Sequence, residues 1–380
     1  VTDDKGRSKT VKGTIAVGPD WPEQIICPGW QVKDFTYGGG YFGDSGIRGF
    51  SASGLEKHRA GETKKAWCWP TFDDKGQPIK TINDYAFRNR DLTRLPDSWA
   101  NITRIGTEAF KDNQITQLPA SWGEVNHLRN SVFTNNKITS LPASWGKISE
   151  IGFATFSDNE IASIPDSWGN ITRIEAEVFN VNKLTALPDS WGNITRIGRL
   201  AFRGNKIAAL PDSWGSITRI DDNAFCSNEL TALPNSWGKI TRIDTQTFDR
   251  NKLVSLPEWG NVTYIGLSAF SNNQLTSLPG SWGKVTTIDN AAFTHNQITA
   301  LPDSWGEVNS LGSSAFEDNK IKTLTAPWGK ITSLPDSVFK YNEIVSLPES
   351  WGNIVDIKKS AFQENKITEL PNSWGEVAKL

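Results

Sequence analysis

The chain has 380 residues, with 40 lysines and arginines against 42 aspartates and glutamates, a net charge of −2 and 37% hydrophobic residues. So even a balance argues against nucleic acid as a bulk electrostatic partner, and no apolar run approaches the roughly 18 residues that a membrane-spanning helix needs. Methionine is absent, so Val1 is not a translation start; it reads as the beginning of a mature secreted chain or of a trimmed one, with no signal peptide left to choose between them.

Residues 1–70 differ from the rest and are expected to form an N-terminal region and cap. Residues 1–13 are polar and charged, a lead-in or an edge strand. Trp21, Cys27, Trp30, the glycines 38–40 and a charged stretch from Glu56 to Lys65 follow. Val32 and Phe35, then Ile47 and Phe50, look like degenerate repeat positions. A terminal coil is atypical because it must cover the apolar end of a stack. Cys27 and Cys68 could be bridged in an oxidising compartment or stand as two buried thiols, and the sequence leaves both open.

From 71 to 380 the chain repeats itself. Leucine or isoleucine recurs at 95, 118, 141, 164, 187, 210, 233 and onward to 370, a step of 23 residues. The coil that starts at Leu256 is one residue short, because Leu256-Pro257-Glu258-Trp259-Gly260 lacks the usual serine. A fixed period of this size defines a solenoid, in which one unit cannot close a core and stacked units build a continuous one. The inward positions are those of Leu187, Trp191, Ile194, Ile197, Ala201, Phe202 and Ile207. Phenylalanine holds its column from Phe87 to Phe362 and tryptophan from Trp99 to Trp374.

Within one coil, Ile194-Thr195-Arg196-Ile197 reads as a short strand, β-branched and closed by Gly or Asp. Arg199 to Asn205 reads as a short helical or 3₁₀ turn. Ile207-Ala208-Ala209-Leu210 reads as a second strand, ended by a proline that cannot donate to a ladder. The Pro-x-Ser-Trp-Gly segment makes the opposite bend. Short parallel strands are therefore expected on two faces of a coiled ribbon. The asparagine column, Asn113, Asn136, Asn159 and on to Asn365, supplies donors and an acceptor to the backbone of its own turn and of the next coil. Its role is structural rather than ligand-binding. At Asn372 to Leu380 the chain stops part-way into a coil, and the solenoid reads as truncated there.

These residues resemble a known family. Ile-Gly-x-x-Ala-Phe-x-x-Asn, as in Ile105, Gly106, Ala109, Phe110 and Asn113 and again in Ile197, Gly198, Ala201, Phe202 and Asn205, is similar to the BspA-like leucine-rich repeats of bacterial surface proteins. The resemblance covers residues 79 to 380. Asparagine stands here where that family often has cysteine, and Trp-Gly is inserted after the serine. The resemblance implies a secreted or cell-surface binding protein, often an adhesin.

No constellation for catalysis accompanies the repeats. His58, His127 and His295 fall in unrelated repeats, the carboxylates such as Asp166, Asp189 and Asp212 sit at solvent-facing positions, and no cofactor or metal signature is present. The chain is expected not to be an enzyme and to need no cofactor. Cys226 follows Phe225 at a polar position and is expected to be exposed and unpaired. N-x-Thr sequons at Asn101, Asn170, Asn193 and Asn261 arise from the repeat phrase itself.

Function is then left to the exposed columns. The third strand position reads Arg104, His127, Glu150, Arg173, Arg196, Arg219, Arg242, Tyr264 and Thr287. Arg173, Arg196, Arg219 and Arg242 would stand about 4.8 Å apart in consecutive coils, with Tyr264 next. Such a stripe can grip carboxylates, sulfates or an acidic protein surface; equally it can pair with nearby Asp and Glu as a solvated edge, which is the simpler reading. On the other strand Thr116, Thr139, Thr185, Thr231, Thr276, Thr299 and Thr368 form a ladder broken by Ala162, Ala208, Val254, Lys322 and Val345. The expected function is contact with a protein or glycan at the cell exterior. The alternatives are a stalk, a self-associating surface array, or ice or crystalline-surface binding through the threonines. Oligomeric state is not legible.

Overall fold

The computed structural model describes residues 30–39, 45–60 and 69–374 except 326, 329 and 352. The lead-in 1–13, Trp21, Cys27 and Cys68 lie outside the described residues. Two compact units are present, Val1–Ile161 with Ser167–Asn170, and Ala162–Asp166 with Ile171–Leu380.

The first unit opens with an antiparallel pair, β1 (Phe35–Gly39) and β2 (Ser45–Phe50), followed by helix α1 (Ala52–Arg59). Ser51 caps that helix by accepting from the Gly54 N–H, the usual use of serine at a helix start. Asp34 is wholly buried beneath it and accepts from Lys57, Ser53 and the Gln31 N–H. Strand β2 then pairs in parallel with β3 (Thr81–Ile82), setting Ile47 opposite Ile82. The ladder continues through β4 (Arg104–Ile105), β5 (His127–Leu128) and β6 (Glu150–Ile151). Ile47 and Phe50 thus occupy repeat-like places beside the first coil.

The second unit carries β7 (Arg196–Ile197) on β8 (Arg219–Ile220). It also carries a four-strand ladder of β9 (Arg242–Ile243), β10 (Tyr264–Ile265), β11 (Thr287–Ile288) and β12 (Ser310–Leu311), and a last pair, β13 (Ser333–Leu334) and β14 (Asp356–Ile357). All are parallel and in register, residue on like residue. Both units are solenoids built on the 23-residue period.

The core of each coil is its aromatic pair. Phe202 stacks on Phe179 and Phe225 at centroid distances of 5.8 and 5.5 Å, and Trp214 lies 5.9 Å from Trp191 and 6.4 Å from Trp237. In the first unit Phe87, Phe110 and Phe133 follow one another at 5.6 Å. Offset parallel rings suit the aromatic quadrupole, each pair adding about 0.5–1.5 kcal/mol beyond its buried area. A buried indole N–H needs an acceptor, and Trp214 Nε1 finds the Pro188 carbonyl one coil back at 3.0 Å. Trp214 is therefore pinned as well as packed, whereas the buried indole N–H groups of Trp237 and Trp328 have no acceptor among the described residues.

Asn205 shows how the turns are satisfied. Its Nδ2 donates to the carbonyls of Phe202 and Arg203 in its own turn and of Phe179 in the coil before, while its Oδ1 accepts from the Leu184 N–H. The structural role holds, but the neighbour served is the preceding coil rather than the following one.

That bond also explains the second strand segment. Its backbone does pair coil to coil, as in Lys206 N–H to Leu184 O and Ala208 N–H to Thr185 O. The N–H between them, that of Ile207, is taken by Asn228 Oδ1. An interrupted ladder results, with one isolated parallel bridge between Ala300 and Thr323 among the described residues of this face.

Two local expectations are corrected. Residues 199–205 form stacked turns, not a helical or 3₁₀ segment. Leu200, Phe202 and Gly204 donate forward to Asp222, Ala224 and Cys226, while Ala201 and Arg203 close turns onto Gly198 and Leu200. A helix would turn the N–H groups beyond its first turn onto its own carbonyls rather than alternately onto the next coil. Exporting alternate N–H groups puts Leu200 (φ 59°) and Gly204 (φ 68°) in the left-handed region. The 3₁₀ turns stand instead in the Pro-x-Ser-Trp bend, at Asp189–Trp191 and Asp212–Trp214, where proline sets the entry φ. Cys226 is buried, not exposed, beside Asp249. Its position points under the turn, and that burial pushes its thiol pKa up.

Candidate functional site

The exposed face of the parallel strands in the second unit holds the arginine column. The two isoleucines of Ile-Thr-Arg-Ile go inward, so threonine and arginine are left on the surface. Thr218, Thr263 and Thr286 turn their hydroxyls onto the carbonyl of the threonine one coil back, at 3.1–3.2 Å. Beside this threonine column stand Arg173, Arg196, Arg219 and Arg242.

Each arginine meets a carboxylate. Arg173 Nη2 bonds Glu175 at 2.7 Å, two residues along its own coil. Arg196 donates from Nε and Nη2 to Asp221 Oδ2 at 3.1 and 2.6 Å, reaching forward one coil. Arg219 Nε takes the other oxygen, Oδ1, at 2.7 Å. Arg242 Nε lies 3.5 Å from Asp244, and its guanidinium rests 3.9 Å over the Tyr264 ring. Tyr264 donates its hydroxyl to Asp289 at 3.1 Å.

The structure thus brings all five candidate residues onto one face and adds acids that the column by itself did not name. Their sequence signal is the Arg-Ile-Asp triplet, as in Arg219-Ile220-Asp221 and Arg242-Ile243-Asp244. The bond and charge of Asp221 hold Arg196 more firmly protonated than usual. Burial pushes the Asp244 carboxyl up, with Arg242 opposing. Burial and the Asp289 charge raise the Tyr264 phenol. The guanidinium side chains remain 47–62% exposed, whereas Asp221 and Asp244 are only 12 and 18% exposed. At Asp221 and Asp244 the anion lies beneath the cation, whereas Glu175 is as open as the arginines.

Elsewhere the polar groups are dispersed. His58 stacks on Phe50, His127 pairs with Glu150 and His295 with Asp318. Among the described residues no group of three or more His, Cys, Asp or Glu could hold a metal ion, and no helix is long and apolar enough to cross a membrane. The opposite face presents Thr185, Ala208, Thr231 and Val254, all exposed.

This is the architecture of a leucine-rich repeat solenoid, and the particular family follows from the repeats. The BspA type leucine-rich repeat region matches residues 80–208, 187–300 and 284–373, well over half of the chain. The chain belongs to that family. Leucine-rich repeat proteins are in general non-enzymatic binding scaffolds, and this family is typically extracellular or on the cell surface.

Similar solved structures include a leucine-rich repeat protein of Leptospira interrogans, at 17% identity and TM-score 0.48 over 78% of this chain and 81% of that one. YopM from Yersinia enterocolitica matches at 20% identity and TM-score 0.48, over 75% of this chain and 61% of that one. The functional domain of InlJ from Listeria monocytogenes matches at 17% identity and TM-score 0.48, over 77% and 60%. The chain spans less than two thirds of the last two, and likeness at this level carries no inference about function. No curated protein sequence matches the chain.

Proposed function

We propose that this chain is an extracellular or cell-surface binding protein whose strand face, from Arg173 to Tyr264, contacts a partner protein. The observation that carries the reading is the fixed placement of the exposed side chains. Arginine and tyrosine are the residue types that dominate binding energy at interfaces. Here each is already held by a carboxylate or a ring, so less conformational freedom is lost on association. A regular solvated edge has no need of the Arg242–Tyr264–Asp289 relay.

A photo-crosslinking residue at Thr218 tests it, with one at Thr231 on the opposite face as the control. The expected result is saturable adducts with proteins of the extracellular fluid from Thr218 alone. Equal adducts from both faces, or none, count against the reading. A membrane-impermeant label applied to intact source cells checks the location, and failure to label the chain counts against a surface role.

A further inference from the structure

We infer that the edge of the second unit between Lys183 and Lys252 is a further contact surface, separate from the strand face, and that it receives a linear sulfated polysaccharide.

This edge is the line on which each stacked turn passes into the following strand segment. Backbone bonds from coil to coil hold it in register: Val181 N–H donates to the Arg203 carbonyl, Gly204 N–H to Cys226 and Ser227 N–H to Asp249. Asn205 and Asn251 are held inward, so Lys206, Arg250 and Lys252 beside them stand on the surface. Lys183 and Arg203 are exposed on the same line. The carboxylates among these cations are Glu229 and Asp249. Asp249 is buried and meets Arg250 at 3.6 Å, and Glu229 is engaged by Lys252 at 3.0 Å. Arg203 and Lys206 form no ion pair among the described residues. In a chain of net charge −2, this is a local excess of positive charge. It is also bounded, because the next coil has Ser271, Asn272 and Gln274 at the corresponding places.

The cations follow the solenoid axis from one coil to the next, at roughly the 4.8 Å of neighbouring strands. A chain that carries anionic groups along its length therefore meets them in sequence. Cations outside an ion pair keep their counterions until a polyanion displaces them, and that release drives binding. The line from Arg203 to Arg250 passes Gly204 and Ser227, the smallest side chains in the column that precedes the ladder asparagines. The stretch between the two guanidiniums is thus low, and their N–H forks suit the paired oxygens of a tetrahedral anion. A protein partner would need anchors that fill pockets, and Val181 is the one exposed large apolar residue on this stretch. Single-stranded nucleic acid would need rings on which to stack its bases, and no aromatic side chain is exposed between residues 181 and 252. A sulfated polysaccharide needs neither, and it suits the extracellular setting proposed above.

The test titrates a fluorescein-labelled heparin octasaccharide with the full chain and follows its anisotropy. Saturable binding is expected, weakened by added salt and weakened roughly tenfold, a loss equivalent to about 1.4 kcal/mol, when Arg203→Ser, Lys206→Ser and Arg250→Ser are combined. Lys320→Ser, Lys340→Ser and Lys366→Ser remove the same charge further along the chain and should leave the affinity unchanged. Circular dichroism and the melting temperature of each variant establish that the fold is kept. No saturable binding, an equal loss in the control variant, or tighter binding of an oligoglutamate or polyphosphate of the same charge overturns the inference. So does a larger loss from Arg196→Ser with Arg219→Ser, which would put the polysaccharide on the strand face.

Discussion

Asp221 is shared by Arg196 and Arg219, its Oδ2 held by the first at 2.6 Å and its Oδ1 by the second at 2.7 Å. Because the three residues come from two successive coils, this carboxylate ties the coils together at the surface while neutralising the stripe. Exposed pairs of this kind contribute about 0–1 kcal/mol each, since salt and solvent screen them. Asp221→Ala should therefore lower stability by no more than about 2 kcal/mol for the two contacts. It should also raise affinity for heparin, because two guanidiniums lose their shared counter-charge. Denaturant unfolding and a heparin column measure both; unchanged heparin retention would mean that the acids beneath do not control the field of the stripe.

Phe202 is fully buried and stacked on both sides. Phe202→Ala should cost about 3–5 kcal/mol through the cavity that it leaves. Coupling in a solenoid is between neighbours, so loss of hydrogen-exchange protection should concentrate in residues 187–232. Uniform loss across all coils would contradict the nearest-neighbour picture.

Asn205→Ala should be as damaging despite removing a smaller side chain. It strands the N–H of Leu184 and takes a donor from the carbonyls of Phe179 and Phe202, the latter still held by Asn228 Nδ2, and each buried group left unpaired costs about 1–3 kcal/mol. Asn205→Asp separates the two halves of the role, keeping the acceptor for Leu184 while losing the donors. Because it also sets a buried carboxylate against the carbonyls of Phe179, Phe202 and Arg203, it should be no more stable than Asn205→Ala in a urea titration at neutral pH, and a variant as stable as the native chain would show that the amide donors matter little.

Much of this was legible because a repeat displays each structural demand many times over. Phe202 and Trp214 could be placed inside from their columns alone, and Asn205 from the need to pair a buried turn. What the sequence did not reveal was where backbone N–H groups travel. The stacked turns at 199–205 depend on left-handed backbone at Leu200, a residue with no preference for it, so local propensity points elsewhere. Cys226 looked exposed because its column is otherwise polar, yet Ser157, Asp249, Ser271 and Thr294 of that column are buried too; polar residues there bond beneath the turn. The candidate site was half legible. The arginine column could be read off one strand position, but the forward reach of Arg196 to Asp221, and the ring of Tyr264 under Arg242, depend on side-chain direction between coils.

Asp249 provides a pH test. Burial raises its pKa against the opposing bonds of Asn272 and the charge of Arg250. A carboxyl with a raised folded-state pKa takes up its proton more readily when folded. Its stabilising contribution is therefore full below the unfolded value of about 3.9 and is lost as pH rises through the folded one. Asp249→Asn removes that charge at neutral pH. The variant should gain on the native chain as pH rises from about 4 toward 7, seen as a widening difference in denaturation midpoint. A difference independent of pH would show that the carboxyl titrates alike in both states.

The short coil gives the last test. In neighbouring coils the tryptophan N–H closes a 3₁₀ turn on the proline three residues back, as Trp282 does on Pro279, and a serine hydroxyl such as that of Ser304 donates to the preceding coil at Gly280. At the short coil Trp259 N–H reaches Pro257 at 2.9 Å, only two residues back. The indole nevertheless keeps its place, 6.3 Å from both Trp237 and Trp282, with Nε1 on the Pro234 carbonyl. The deletion is absorbed at the surface edge. Gly146, Gly192 and Gly283 each have the carbonyl of the next coil's serine about 3 Å from where a Cβ would stand, whereas Gly238 has nothing within 4 Å. Inserting serine between Glu258 and Trp259 should therefore fill open space, restore the 3₁₀ turn and add one intercoil hydrogen bond, for a gain of about 0.5–1.5 kcal/mol. Urea unfolding of the insertion variant measures it. A loss of stability would mean that the tighter turn at Pro257 is matched to its neighbours and that the short coil is a fitted part of the stack.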